Sequence, residues 1–250
     1  MSQRLRFIVC SAIWLITASV AAADATPPAL NSYAHDPSAF TQGLAWEHGL
    51  LYESTGLYGR STLSVRELKS GRILRRLDLP KAMFGEGIAL VGNELFQLTW
   101  LEHQIFVYDK TSLRLKRTLP YAWEGWGLTY DGHHLIASDG SAQLHFLDPA
   151  TLREVRRLEV TEGEQAIGQL NELEYVKGEI LANVYGADRI ARISPETGKI
   201  IAWIELSHLY PKSQRLSDEA VLNGIAYDQA RDVLLLTGKY WPSLFVLPAP

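Results

Sequence analysis

The chain has 250 residues, 47% hydrophobic and 21% charged, with an isoelectric point near 6.0, a composition that fits one large all-β domain or two small ones. A net charge of −4 with no block of Lys and Arg argues against nucleic acid as a partner, since phosphates would meet no counter-charge. The one cysteine, Cys10, excludes a disulfide framework and, lying where it does, a thiol nucleophile in the mature protein.

Residues 1–23 read as a secretory signal. Arg4 and Arg6 form a basic start, Phe7 to Val20 an apolar run that contains Cys10, and Ala21 to Ala23 a small-residue cleavage site. Cleavage is expected after Ala23 or Ala25. The apolar run is short for a membrane span and no later stretch is long enough, so no membrane association is expected after cleavage. Removing these residues deletes two arginines and no acids and takes the net charge from −4 to −6. A disulfide-free exported protein suits a bacterial periplasm, so a periplasmic or secreted location is expected, with residues 24–250 forming a single catalytic domain and acting as a monomer.

Residues 24–36 form a proline-containing lead with one short candidate strand, Leu30 to Ala34. Beyond it a hairpin pattern is written five times: FTQGLAWEHGLLYESTG from Phe40, FGEGIALVGNELFQLTW from Phe84, EGWGLTYDGHHLIASDG from Glu124, LNELEYVKGEILANVYG from Leu170 and LNGIAYDQARDVLLLTGK from Leu222. In the second copy, Phe96, Leu98 and Trp100 alternate with Leu95, Gln97 and Thr99 beyond a Gly92-Asn93 turn, which is a hairpin signal. Aligning Gly43, Gly87, Gly127, Glu172 and Gly224 gives spacings of 44, 40, 45 and 52, a period typical of propeller blades. A second hairpin follows each of the first four copies, so each unit carries four strands. The fifth ends one strand short after Ser243 to Leu247, and Leu30 to Ala34 can supply the missing strand and leave no open edge. The expectation is an all-β, five-bladed β-propeller closed by an N-terminal strand joining the last blade. The longest interruption, Ser207 to Glu219, is expected to form a helical or irregular lid over one mouth of the channel.

In such a ring the residues just before each innermost strand converge, which points Gln42, Glu86, Trp126, Asn171 and Asn223 at one pocket. The ends of the second strands bring Glu53, Trp100, Asp139, Asn183, Tyr185 and Lys239 toward the same end. Glu86 stands out, because a carboxylate between two glycines on an innermost strand is hard to justify as packing. The histidines show no ligand spacing, His133-His134 reads as a solvated hairpin tip, and neither a GxSxG elbow nor a phosphate loop is present.

In order, FTQGL, ESTG, FGEG, LTW, EGWGL, SDGS, LNELEY, ANVY, LNGIAYD and TGKYWP closely resemble the plant and bacterial type of glutaminyl-peptide cyclotransferase, over about Phe40 to Pro242. The resemblance implies a five-bladed propeller acyltransferase that converts N-terminal glutamine of peptides or proteins to pyroglutamate with release of ammonia. It further implies Glu86 as the acid/base carboxylate, Gln42, Asn171 and Lys239 as polar pocket residues, and Phe40, Trp100 and Trp126 as an aromatic wall. Many relatives carry tryptophan where this chain has Tyr185, which bears on substrate preference. No cofactor and no metal are implied.

These residue types suit that chemistry. The substrate's α-amine must lose a proton as it attacks its own carboxamide, and the leaving nitrogen must gain one. A single buried carboxyl can carry both protons, with an oxyanion donor from Asn171, Gln42 or Lys239 and Trp100, Trp126 and Tyr185 holding the side chain folded. The expected roles are thus catalytic for Glu86, Asn171 and Lys239, and substrate-binding for Phe40, Gln42, Trp100, Trp126 and Tyr185. Two other readings stand beside this one. One is a calcium-dependent propeller lactonase using Glu86, Asp139, Asn171 and Asn223 as oxygen ligands; the other is a non-catalytic peptide-binding propeller of the envelope.

Overall fold

The computed structural model describes residues 23–250, so all but the last residue of the expected signal segment lies outside the described chain. Strand β1 (Asn31–Ala34) comes first. Four consecutive strands then build each of four blades: β2 (Thr41–Glu47), β3 (Leu50–Thr55), β4 (Thr62–Glu67) and β5 (Ile73–Asp78) make blade 1. Strands β6 (Gly85–Val91), β7 (Glu94–Thr99), β8 (Gln104–Asp109) and β9 (Leu115–Pro120) make blade 2. Blade 3 is β10 (Leu128–Tyr130), β11 (Leu135–Ser138), β12 (Gln143–Leu147) and β13 (Glu154–Glu159). A small hairpin of β14 (Thr161–Glu162) and β15 (Gln165–Ala166), which the repeat does not foretell, precedes blade 4. That blade is β16 (Leu170–Val176), β17 (Glu179–Val184), β18 (Arg189–Ile193) and β19 (Ile200–Glu205). Blade 5 consists of β20 (Leu222–Asp228), β21 (Val233–Gly238) and β22 (Ser243–Pro248), with β1 paired antiparallel to β22 in the register Asn31 to Val246 through Ala34 to Ser243.

The two-residue alternation of each strand explains how the blades stack. Leu95 faces back toward Ile88, Tyr52 and Val65 in a cluster shared with blade 1. Phe96 and Leu98, on the other face of the same strand, join Leu128 and Leu135 of blade 3. Five such clusters fill the five interfaces between neighbouring blades, the last joining Leu44 and Leu51 of blade 1 to Leu235 and Val246 of blade 5. With each large apolar side chain contributing about 1.5–3 kcal/mol when fully buried, the ring is held by these seams without disulfides.

The innermost strands β2, β6, β10, β16 and β20 ring the axis and approach so closely that only glycine fits at their crossings. A Cβ on Gly87 would lie 2.5 Å from the Leu128 nitrogen, and one on Gly127 would overlap the Asn171 carbonyl oxygen. The repeated glycine thus sets the diameter of the ring. On the axis itself, Glu172 ties three blades: its two carboxylate oxygens accept the backbone N–H groups of Leu44 at 3.0 Å and Ile225 at 2.8 Å.

Closure is reinforced beside β1. The His35 N–H donates to the Pro242 carbonyl at 2.9 Å, and the imidazole lies 2.7 Å from the Trp241 carbonyl through Nδ1 and 2.8 Å from Glu53 Oε1 through Nε2. With an acceptor at each ring nitrogen, His35 is bound as the imidazolium. Upstream, Ala25 forms a parallel bridge to Ile204, and the Asp24 carboxylate accepts the Trp203 N–H at 2.8 Å. The N-terminal strap therefore fastens the outer edges of blades 4 and 5 together.

Candidate active site

The site is made by a fault written into the repeat. In β2, β6, β16 and β20 the pairing register slips near the start of the strand, between Thr41 and Gly43, Gly85 and Ile88, Leu170 and Leu173, and Leu222 and Ile225. A bulge leaves extra residues out of the ladder and re-aims their side chains. Gln42, Glu86, Asn171 and Asn223 stand in these slips, and all are buried at one end of the channel.

There a cavity of about 300 Å³ opens to solvent. Gln42, Glu86, Asn171 and Lys239 supply its polar wall, and Phe40, Trp100, Trp126 and Tyr185 its aromatic one, so the eight residues given catalytic or binding roles from the sequence line a single cavity, whereas Asn223, pointed at the same pocket, does not line it. Three more were not foreseen: Leu57, Phe84 and Glu219. Phe84 meets the rings of Phe40 edge-on at 6.2 Å and of Trp100 at 5.3 Å. Its place at the head of FGEG, directly before Gly85, is the only sequence signal it offers. Glu219 comes from the 207–219 insertion, which is irregular apart from one 3-10 turn, Lys212–Gln214. Arg215 pins that insertion, its Nη2 donating to Asp188 Oδ1 and the Tyr210 carbonyl, each at 2.7 Å.

The tryptophans are oriented by one carboxylate. Glu124 Oε2 accepts the indole N–H of Trp100 at 3.2 Å and of Trp126 at 3.3 Å. Trp126 also needs Gly140, whose backbone has φ +81° and whose missing Cβ would sit 2.7 Å from the indole ring. The Tyr185 ring stands edge-on to Trp126 at 6.1 Å and is 40% exposed.

Glu86 has a single hydrogen bond among the described residues, from Gln42 Nε2 to Oε1 at 2.9 Å. Gln42 is itself oriented by Asn223, whose Nδ2 donates to the Thr41 carbonyl at 2.9 Å and toward Gln42 Oε1 at 3.3 Å. Burial pushes the Glu86 carboxyl well above the usual range; nearby Lys239 opposes this, and Glu102 and Glu124 add to it. The Lys239 ammonium is likewise lowered by burial to about 8, against the pull of Glu86 and Glu219. It makes its close approaches to aromatic faces, 4.4 Å from the Phe40 ring centre and 5.2 Å from that of Tyr185. Asn171 Oδ1 is buried and has no hydrogen-bond partner among the described residues. A buried carboxyl with one bonded neighbour thus shares an aromatic-walled cavity with the Asn171 amide and the Lys239 ammonium.

Other residues expected near this end are committed elsewhere. Glu53 is held by His35 and Arg66. Asp139 Oδ2 lies 3.1 Å from His145 Nε2, and its Oδ1 accepts from Ser141. Asn183 Oδ1 accepts the Gly224 N–H at 2.9 Å. Of the four oxygen ligands a lactonase would use, Glu86 and Asn171 line the cavity and Asp139 and Asn223 do not. Among the described residues no group of three or more His, Cys, Asp and Glu is placed to hold a metal ion. His133 lies on an exposed turn.

Fold and site together define a five-bladed propeller with a solvent-open cavity at one channel mouth, built around a buried, unpaired carboxyl. The family model described as glutamine cyclotransferase matches residues 7–248, and the chain belongs to that family. It is 42% identical over 219 residues to a glutaminyl-peptide cyclotransferase of Arabidopsis thaliana, covering 85% of this chain and 68% of that protein. The crystal structure of Myxococcus xanthus glutaminyl cyclase superposes with a TM-score of 0.84 at 35% identity, covering 89% of this chain and 95% of that one. The WD40 propeller domain of Doa1, at 14% identity and a TM-score of 0.51 over 83% of this chain and 63% of that one, shares the fold alone.

Proposed function

We propose that the protein is a glutaminyl-peptide cyclotransferase, converting the N-terminal glutamine of peptides and proteins to pyroglutamate with release of ammonia. The observation that carries this reading is Glu86: a carboxyl buried in an open cavity and bonded, among the described residues, to one neutral amide, in a chain of the glutamine cyclotransferase family. The substrate's side chain lies in the aromatic slot, its carboxamide folded back over the α-amine. The neutral amine, whose conjugate acid has an ordinary pKa near ~8, bonds through its nitrogen to the carboxamide carbon and passes an N–H proton to the Glu86 carboxylate. The tetrahedral oxyanion takes a hydrogen bond from the Asn171 amide or the Lys239 ammonium. Glu86 returns the proton to the amide nitrogen, the C–N bond breaks and ammonia leaves. A carboxyl whose pKa is raised toward that of the amine transfers a proton in both directions at small cost.

The direct test is a Gln-initiated dipeptide incubated with the enzyme, with ammonia and pyroglutamyl product both measured. Equimolar formation of the two is expected, and exhaustive chelation is expected to leave the rate unchanged. Binding without turnover would instead indicate a peptide-binding propeller, and loss of turnover on chelation with rescue by Ca²⁺ a metal-dependent enzyme.

The enzyme acts as a monomer in the periplasm or outside the cell once the signal segment is removed. Cleavage after Ala23 keeps Asp24 and Ala25, which bond to β19, whereas cleavage after Ala25 removes them. N-terminal sequencing of the exported protein is expected to begin at Asp24.

A further inference from the structure

A second hollow, about 470 Å³, lies beside the active-site cavity against the outer strands of blade 1. The two share one wall, formed by Phe40 and Leu57. That wall is held in place at a conformational cost. Leu57 has φ +84°, a left-handed backbone that side chains larger than glycine rarely adopt. Its carbonyl accepts the Arg60 N–H at 3.0 Å and the Ser61 hydroxyl at 2.9 Å. These bonds fix the strained turn and with it the isobutyl group that divides the hollows. Strain of this kind is concentrated at functional sites.

The charges beyond the wall are unlike those of the protein as a whole. Four cationic side chains, Arg60, Arg66, Arg76 and Lys81, line the second hollow against two acids, Asp36 and Asp78. Arg66 is taken by Glu53 and Arg76 by Asp78. Arg60 and Lys81 are exposed and make no ion pair among the described residues. Their two segments are tied together, the Gly59 N–H donating to the Lys81 carbonyl at 2.9 Å. A chain of net charge −4 therefore keeps two uncommitted cations over a groove that continues directly from its site.

We infer that this groove binds the peptide downstream of the N-terminal glutamine and favours substrates with Asp or Glu from the third residue onward. The inference rests on the cyclotransferase reading. With the glutamine side chain in the aromatic slot, the second residue crosses the Phe40–Leu57 wall. An extended chain advancing roughly 3.3–3.6 Å per residue then brings the next residues beneath Arg60 and Lys81. The competing exit passes Glu219 into a hollow lined by Tyr210, Leu216 and Tyr240; it has no cation and would favour apolar residues.

The test compares kcat/KM for a Gln-initiated dipeptide and for hexapeptides carrying Glu, Lys or Leu at positions three to five. The Glu peptide is expected to exceed the Lys peptide by roughly 3- to 10-fold at low ionic strength, the scale of two exposed charge pairs, with the gap closing in high salt. The double variant Arg60→Glu, Lys81→Glu is expected to invert that order while leaving dipeptide turnover unchanged, which also shows that it folds. Equal rates for Glu and Lys peptides, a preference untouched by the double variant, or the Leu peptide leading would each overturn the inference while dipeptide turnover stands. No ammonia from the dipeptide would overturn the cyclotransferase reading, and the groove's role with it.

Discussion

Glu53 and Glu86 sit in neighbouring blades with the same burial and opposite fates. Each is withdrawn from water, which by itself raises a carboxyl pKa. Around Glu53 that effect is overcome by the charge and hydrogen bond of His35 and by Arg66, with Thr41 adding a hydroxyl, and the pKa falls to about 2. Around Glu86 the one bonded neighbour among the described residues is a neutral amide, Lys239 stands off against aromatic faces, and the pKa rises. Burial does not decide what a carboxylate does; its partners do. The fold commits cations to the seam where the ring closes and bonds none to the Glu86 carboxyl, the group proposed to exchange a proton.

Neutralising each carboxylate in turn gives the largest effects. Glu86→Gln preserves size and the bond to Gln42 but removes the titratable proton, and kcat on a dipeptide is expected to fall roughly 10²–10⁴-fold with the melting temperature unchanged. Glu53→Gln should do the reverse. It strands His35 and Arg66 beside a neutral group, and loss of one partner from a buried ion pair costs about 3–5 kcal/mol of stability; denaturant unfolding measures it, and kcat of the protein that remains folded should stay near normal. If Glu53→Gln abolished turnover in a fully folded protein, the division between the two carboxylates would be wrong.

A smaller effect sharpens the same contrast through pH. The folded pKa of Glu53 is depressed, so its stabilisation is present above the ordinary carboxylate value and is lost as pH falls toward about 2. For His35, burial alone would lower the pKa, but Glu53 and the Trp241 carbonyl raise it above 6.5. Its stabilisation is therefore fully present below 6.5 and is lost as pH rises through the higher folded value. The clasp is strongest between roughly pH 4.5 and 6.5. His35→Gln is expected to flatten the alkaline decline in stability; a decline identical to that of the wild type would show that another group causes it. Deleting residues 24–36 removes this clasp together with β1, and should lower the melting temperature and promote aggregation through the bared edge of β22.

The smallest expected change is Tyr185→Trp. The Tyr185 ring is a half-open flap against Trp126, so the larger ring should alter KM by a few-fold and leave kcat nearly unchanged, since no proton step passes through it. A large fall in kcat would place Tyr185 in the chemistry.

Much of this was legible in the sequence because the determinants are local. The alternation of Leu95 with Phe96 and Leu98 already separates the two interfaces those residues fill, and a carboxylate between glycines already marks Glu86. What could not be read depends on partners distant along the chain. Glu53 and Asp139 sit at positions equivalent to site residues, yet His35 and His145 claim them. Phe84 reads as one more apolar residue before a strand, and Glu219 belongs to an insertion with no periodicity. The register slips at Gln42, Glu86, Asn171 and Asn223 break the two-residue count that makes strands readable, so the place where the pattern fails is the place where the site forms.

On the proposed mechanism, burial without a bonded cation keeps Glu86 as a proton carrier. The most direct test is a carbon-13 NMR titration of the glutamate carboxyls in the wild type and Glu86→Gln, so that the missing resonance identifies Glu86. One carboxyl titrating well above the ordinary glutamate range, absent from the variant and with its pKa recurring in the pH profile of kcat/KM, is the predicted result. A Glu86 carboxyl that titrates at or below the ordinary value, as Glu53 is expected to, would contradict the account.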